Sequence, residues 1–503
     1  MGIVIRQSIK ASAAGYFGAI LGAISTVFIY PYFLSPEIIG LNRILVDSAF
    51  LFAFFAQIGI PNAVIRFSPL LRQNGQIKTA YKYALILPLF SFMFFGLLIL
   101  IGKETFQEIF IQKSELFTHY IVLVIPFGLI CIYLNIIENF STYYLRITVP
   151  KLVREVIIRV LLILAAVVFF LFGLSVDVYV ILIIASYGFS ALVLAVYFYI
   201  LFKSKEPVGQ NNQINKGIYA KIFSYMGFML IAGIGSNIVL RVDTFMISAM
   251  IGLSGTGIYS ISFFMAAMIE IPSRAAIQIS SPFVSEYLEK GESEKLKNIY
   301  TRYTLNQSVI GGVILLLLWA NINNIFALMP KGEIYATGKY VVLFIGLGKF
   351  IDVITGLNNQ ILIYSKYHRY QLLFVVLLGI ITIAGNYFLI PIYGITGAAL
   401  ASMISFILLN LTVIIFLYNK LHIQPFTKGF IYVLILIVSG FIINYFLPAL
   451  KNCFIDALYR STIISIYCIA FVIIFKLSED INRVAGKLFS KGILMHYFSK
   501  KPK

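Results

Sequence analysis

FIYPYFLSPEIIGLN, residues 28–42, returns 217 positions later as FMISAMIGLSGTGIY, residues 245–259, with Phe28 on Phe245 and Gly40 on Gly257. Near the same offset Ser68-Pro69 falls on Ser281-Pro282, and Phe169-Phe170-Leu171 falls on Tyr387-Phe388-Leu389. Identities between apolar segments come cheaply, so the order of the segments carries more weight. Working outward, the chain contains apolar stretches at about 12–34, 45–65, 83–101, 117–137, 156–173, 179–202, 222–250, 257–283, 305–328, 340–364, 370–390, 394–418, 428–448 and 459–475. Each is long enough to cross a hydrocarbon core of ~30 Å. Six precede the polar linker 203–221, six follow it, and two remain. Because six is even, both halves insert the same way up, as parallel repeats about an axis normal to the membrane. The expected fold is therefore an all-α polytopic membrane protein of about fourteen transmembrane helices. Its parts are a six-helix lobe at 1–210, a second at 211–420, two extra helices at 421–476 and a basic cytoplasmic tail at 477–503. Backbone groups with no water to bond favour helices throughout, and aliphatic runs without strict alternation exclude a barrel.

The charges orient this array. With the N-terminus placed in the cytoplasm, 30 of the 39 Lys and Arg residues fall on the inner side, in eight successive segments. The outer side receives Arg43, Lys103, Lys113, Lys331, Lys339, Lys451 and Arg460, and Arg241 and Lys349 lie within spans. That asymmetry is the positive-inside rule, and it puts both termini in the cytoplasm. It also explains the net charge of +19 without nucleic acid, and favours anionic inner-leaflet lipid. Cys131, Cys453 and Cys468 have no metal-ligand spacing, and the four histidines are scattered, so no metal or other cofactor is expected. The stretch 12–34 is too long for a cleaved leader and reads as the first span. The outer loops are short. The longest, about 102–116, has no room for a domain.

Ionisable groups within spans are costly and need a partner or a water-filled cavity. Arg43 and Asp47 open span 2, Glu138 ends span 4, Arg241 and Asp243 lie in span 7, Glu270 and Arg274 in span 8, and Lys349 and Asp352 in span 10. Arg43/Asp47 and Glu270/Arg274 are spaced i,i+4 and Lys349/Asp352 i,i+3, so each pair can neutralise itself on one helix face. Arg241 and Asp243, two apart, cannot. Arg66, at the inner end of span 2, reads equally as a topology charge.

Three phrases resemble the polysaccharide and lipid-linked oligosaccharide flippases of the multidrug/oligosaccharidyl-lipid/polysaccharide (MOP) exporter superfamily. They are Gln57–Ser68 (QIGIPNAVIRFS), Arg241–Ser260 (RVDTFMISAMIGLSGTGIYS) and Pro391–Ser405 (PIYGITGAALASMIS), with Ser402 where the family often has Thr. The resemblance runs over nearly the whole chain. It implies the fold of the MATE transporters and the lipid II flippase, with spans 1, 2, 7 and 8 lining a central cavity. It further implies an undecaprenyl-diphosphate-linked oligosaccharide, such as an O-antigen or capsule repeat unit, moved from the inner to the outer leaflet of the bacterial cytoplasmic membrane by alternating access. The partners implied are membrane lipids, a polysaccharide polymerase and glycosyltransferases.

A diphosphate is matched by the planar guanidinium fork. On that reading the anion-receiving set is Arg274, Arg241, Arg43 and Lys349, then Arg66, with Arg241 turned to the cleft and Arg274 beside it. Asp47, Asp243, Glu270 and Asp352 either pair these cations or hold a coupling Na⁺ or proton. The alternative within the superfamily, a cation-coupled multidrug exporter, needs a carboxylate in span 1, and residues 15–34 contain none. A membrane polymerase or glycosyltransferase would need a larger outer loop, so no enzyme is expected. No GxxxxGK[ST] phosphate loop is present to couple ATP.

Overall fold

The computed structural model describes residues 2–74, 76–205, 216–239 and 241–477; most of the expected linker and the basic tail beyond 477 lie outside these. All regular elements among the described residues are helices. Twelve of these are long and apolar enough to cross a membrane, and a thirteenth is the bent pair Gly332–Ile354 and Leu357–Tyr364. The fifth expected span corresponds to continuous helical structure from Thr148 through a π-turn at Val153–Ile157 to Leu171. Its first turns carry Lys151, Arg154, Glu155 and Arg159, so hydropathy alone undervalues it. The outward faces are apolar: Phe90, Met93, Phe94, Leu97 and Ile101 of span 3 form one exposed stripe at helical spacing.

The repeat is visible in the element boundaries. Span 2 opens at Pro36 and closes at Gln73, and span 8 opens at Leu253 and closes at Lys290, each 217 positions later. Both are longer than the 45–65 and 257–283 read from hydropathy. Ser35 explains the early start of span 2: its Oγ accepts from Ile38 N at 3.3 Å, with Pro36 in the first turn. The expected outer loop before residue 45 is therefore helix. Both spans also break midway. Span 2 breaks at Ile58-Gly59, where Gly59 takes φ +69° ahead of Pro61, and span 8 passes through a 3₁₀ turn at Met268–Glu270 ahead of Pro272. Span 7 is likewise two helices, Lys216–Val239 and Val242–Met250.

The described residues form two compact units, one within 1–261 and 382–398, the other within 262–381 and 399–477. In the first, Pro36–Ala56 packs along Val124–Tyr143, which also packs on Val176–Lys205. Tyr81 stacks on Phe140 at 4.5 Å between ring centroids, and Phe140 in turn meets Phe198. The residues expected as an outer loop form the helix Lys103–Tyr120. At its kink Ser114 Oγ donates to Ser248 O at 2.6 Å, satisfying a carbonyl at the end of span 7.

In the second unit Ser293–Ala320 is the central helix, packed on spans 8, 10, 13 and 14. Leu315, Leu316, Phe350, Leu436, Ile437 and Ile464 share its core. Spans 13 and 14 are fastened there by a saturated ion pair. Arg460 Nε donates to Asp456 at 2.8 Å, Arg460 also bonds Asn444 Oδ1 and Leu447 O, and Asn324 Nδ2 donates to Asp456 at 2.6 Å.

Candidate anion-binding site

The break in span 7 decides where its two charges go. Arg241 sits at the break with φ −126° and ψ −12°, outside helical geometry. Its guanidinium turns to span 2, with Nε 3.8 Å from Asp47 Oδ1, and Nη1 donates to Asn237 O at 3.1 Å. Asp243, one peptide into the next helix, takes other partners. Tyr259 OH donates to it at 2.5 Å and Asn386 Nδ2 at 2.8 Å. Two residues at i,i+2 point apart on a helix, and here they serve separate clusters of the first unit.

Asp47 joins two cations, since Arg43 Nε donates to its Oδ2 at 2.7 Å. Arg241 is well shielded and the Arg43 side chain is 40% exposed. Beyond them lies Phe50, whose ring has the Arg241 guanidinium 5.9 Å on one approach and that of Arg154 5.7 Å on another. Each such contact contributes roughly 0.5–1 kcal/mol. Arg154 also donates to Glu138 Oε2 at 2.6 Å. Along the same helical stretch Glu155 holds Lys151 at 3.2 Å and Arg159 at 2.9 Å, and Arg159 reaches the carbonyl of Gly18. The first unit thus gathers Arg43, Lys151, Arg154, Arg159 and Arg241 around Asp47, Glu138 and Glu155. Cations outnumber carboxylates in this group, which favours an anion entering it.

The second unit is balanced. Glu270 lies between Lys349 Nζ at 2.9 Å and Arg274 Nε at 3.4 Å. Lys349 is buried between the rings of Phe263 and Phe406. The Arg274 side chain remains 67% exposed, so Lys349 neutralises the carboxylate and leaves Arg274 accessible. The intra-helical pair expected of Lys349 with Asp352 gives way to this inter-helical one, because Glu270 lies on the neighbouring 3₁₀ turn. Asp352 instead faces Asn410 Nδ2 at 3.5 Å, in a network with Thr355 and Asn358. Arg66 stands apart, its guanidinium 4.3 Å over the ring of Tyr225.

Lys151, Arg154, Glu155 and Arg159 were not among the expected site residues, because the three cations at the mouth of span 5 looked like inner topology charges and Glu155 lay among them. The available signal was the i,i+4,i+8 run Lys151, Glu155, Arg159, which puts alternating charges along one face of a helix that starts at Thr148. Among the described residues no group of three or more His, Cys, Asp or Glu side chains is disposed to hold a metal ion.

Comparison with known proteins fits these findings. Residues 4–278 match the family described as polysaccharide biosynthesis protein. No curated protein sequence matches the chain. Among solved structures, the lipid II flippase MurJ in an inward closed conformation superimposes with a TM-score of 0.69 at 16% identity, over 93% of this chain and 98% of that one. An inward-facing multidrug resistance MATE family transporter of the MOP superfamily gives 0.63 at 14% identity, over 80% and 94%. A point mutant of the Vibrio cholerae MATE transporter VcmN gives 0.56 at 11% identity, over 84% and 98%. The chain is a multi-pass membrane protein with the fold of the MOP superfamily, and it belongs to the polysaccharide biosynthesis protein family.

Proposed function

We propose that this protein is a flippase that moves an undecaprenyl-diphosphate-linked oligosaccharide, such as an O-antigen or capsule repeat unit, from the inner to the outer leaflet of the bacterial cytoplasmic membrane. The observation that carries the reading is the cation-rich group at Phe50. Arg43, Arg154 and Arg241 there share fewer carboxylates than they have charges, in a chain of a polysaccharide biosynthesis family. A diphosphate brings the missing negative charge and accepts forked hydrogen bonds. Arg274, exposed beside a carboxylate already held by Lys349, is a second anion contact. Arg66 has an equivalent use in stacking on Tyr225 and is the weakest member of the set.

Movement proceeds by alternating access of two repeated lobes, 1–210 and 211–420, with both termini in the cytoplasm. Transfer of two negative charges out of a negative-inside cell is favourable by about 4.6 kcal/mol per 100 mV, twice the single-charge value. The potential alone can therefore drive export, and Na⁺ or a proton on Asp47, Asp243, Glu270 or Asp352 is the coupled variant. A multidrug exporter of organic cations is disfavoured by the same cationic group. The protein is not an enzyme on this reading, and it works with the polymerase and glycosyltransferases that consume and supply its substrate. The deciding experiment reconstitutes the chain in proteoliposomes with a fluorescent undecaprenyl-diphosphate oligosaccharide on one leaflet. Transfer to the other leaflet that fails in Arg241→Ala supports the reading. Equal transfer in protein-free vesicles, or export of organic cations instead, overturns it.

A further inference from the structure

Each repeat builds a groove between its second and third spans, at the same place in both. In the first unit the groove is lined by Ile60, Val64, Phe67, Leu71, Tyr83 and Leu87, and Tyr219, Phe223 and Met226 of span 7 help to close it. A shift of 216 positions carries those six residues onto Ala276, Ser280, Phe283, Tyr287, Ile299 and Tyr303, all of which line a cleft of about 510 Å³ between spans 8 and 9 in the second unit. The second groove differs in chemistry. It adds Lys295, Asn298, Arg302, Asn306 and Gln307.

Gln307 is 5% exposed, and its Oε1 has no hydrogen-bond partner among the described residues. A buried acceptor left unmade costs about 1–3 kcal/mol, so a ligand donor is the natural complement. Lys295 is held over the Tyr287 ring and by Glu292 at 3.0 Å. It joins Arg302 as a donor of charged hydrogen bonds, and Asn298 and Asn306 add amides that both give and accept. The ligand that satisfies this lining offers anionic oxygens to the cations and a hydroxyl to Gln307, with an apolar flank for the rings. The volume lies within the roughly 300–1,000 Å³ of small-molecule sites.

We propose that the cleft between spans 8 and 9 is a headgroup subsite that takes a glycosyl diphosphate, separate from the Arg43, Arg154 and Arg241 group. The assignment rests on the flippase reading above, since it names where that substrate's head also binds.

The test measures binding of undecaprenyl-diphosphate-N-acetylglucosamine to the full chain in phosphatidylcholine nanodiscs. Asn298→Ala/Arg302→Gln alters exposed side chains and removes one positive charge, and Lys366→Gln/Arg369→Gln removes two elsewhere on the inner side. The expected result is a Kd raised roughly tenfold in the first variant, the loss of one charge-assisted hydrogen bond, and little change in the second. Gln307→Leu is expected to weaken the glycosylated lipid more than undecaprenyl diphosphate alone. Equal binding by wild type and the cleft variant overturns the subsite while the flippase reading stands. Competition by phosphatidylglycerol at equal concentration overturns the choice of a glycosyl diphosphate. Failure of wild type to bind the lipid at all overturns both.

Discussion

Gly40 and Gly257, repeat partners 217 positions apart, pack reciprocally on each other's helices. A Cβ on Gly40 would fall on the carbonyl oxygen of Leu253 and 3.0 Å from Gly257 N, and one on Gly257 would fall on the carbonyl oxygen of Pro36 and 3.2 Å from Gly40 N. Pro36 and Leu253 are themselves repeat partners, so the contact has local two-fold symmetry. Small residues allow such backbone approach where no hydrophobic force joins helices in lipid.

Gly40→Ala and Gly257→Ala should each lower the melting temperature of the purified protein, because the obstacle is backbone rather than a yielding side chain. Overpacking of this kind costs about 1–3 kcal/mol. The double variant should cost less than the sum, since both changes disturb one contact. Strict additivity in a thermal melt would show that the two glycines do not share it.

Lys349→Ala should destabilise the protein by taking from the half-buried Glu270 its nearer cation, at a cost of about 1–3 kcal/mol, since Arg274 at 3.4 Å still pairs it in part. Adding Glu270→Gln should restore much of the loss. Arg274→Ala should barely move the melt, its side chain being mostly exposed. Thermal melts of the four proteins check this. A melt for Lys349→Ala equal to wild type would mean that Glu270 is served by Arg274 alone.

Much of this was legible in the sequence, and the exceptions share a cause. Span order, the 217-residue repeat, and the Arg43/Asp47 and Glu270/Arg274 pairs follow from periodicity and spacing. What hydropathy misplaced were charged helix ends. Pro36–Arg43 holds Glu37, Asn42 and Arg43, and Thr148–Glu155 holds three ionisable residues, so both read as loop although caps and continuity make them helix. The helix Lys103–Tyr120 was hidden for the same reason, being too polar to look like membrane and too short to look like a domain. Partner choice was out of reach where it depends on a neighbouring element. Lys349 has Asp352 three residues away, yet Glu270 of another span takes it.

Topology can be read with single cysteines in a background lacking Cys453, the only native thiol that is not buried. Probes at Gln112 and Glu333 should react with an impermeant maleimide in intact cells, and a probe at Gln73 only after permeabilisation. Gly332 suits less well, being packed against the carbonyl of Phe326, and Gln210 lies outside the described residues. Labelling of Gln73 alone in intact cells would invert the orientation given by the basic residues.

Arg154 offers the sharpest test of the anion site, because it shares Phe50 with Arg241 while being tied to Glu138 rather than Asp47. If the two guanidiniums act together on a diphosphate, Arg154→Ala and Arg241→Ala should each reduce lipid transfer in proteoliposomes by roughly tenfold or more, as expected for one lost charged hydrogen bond. Lysine at either position should restore only part of the rate, since a point charge lacks the fork. Arg43→Ala should cost less, because its side chain is the more solvated partner of Asp47. Glu138→Gln separates the alternatives. It frees Arg154 from its carboxylate, so transfer should persist if Arg154 serves the substrate, and should fall with stability if the pair only braces spans 4 and 5. Normal transfer by Arg154→Ala beside a failing Arg241→Ala would remove Arg154 from the site and leave Arg43 and Arg241 on Asp47 as its core.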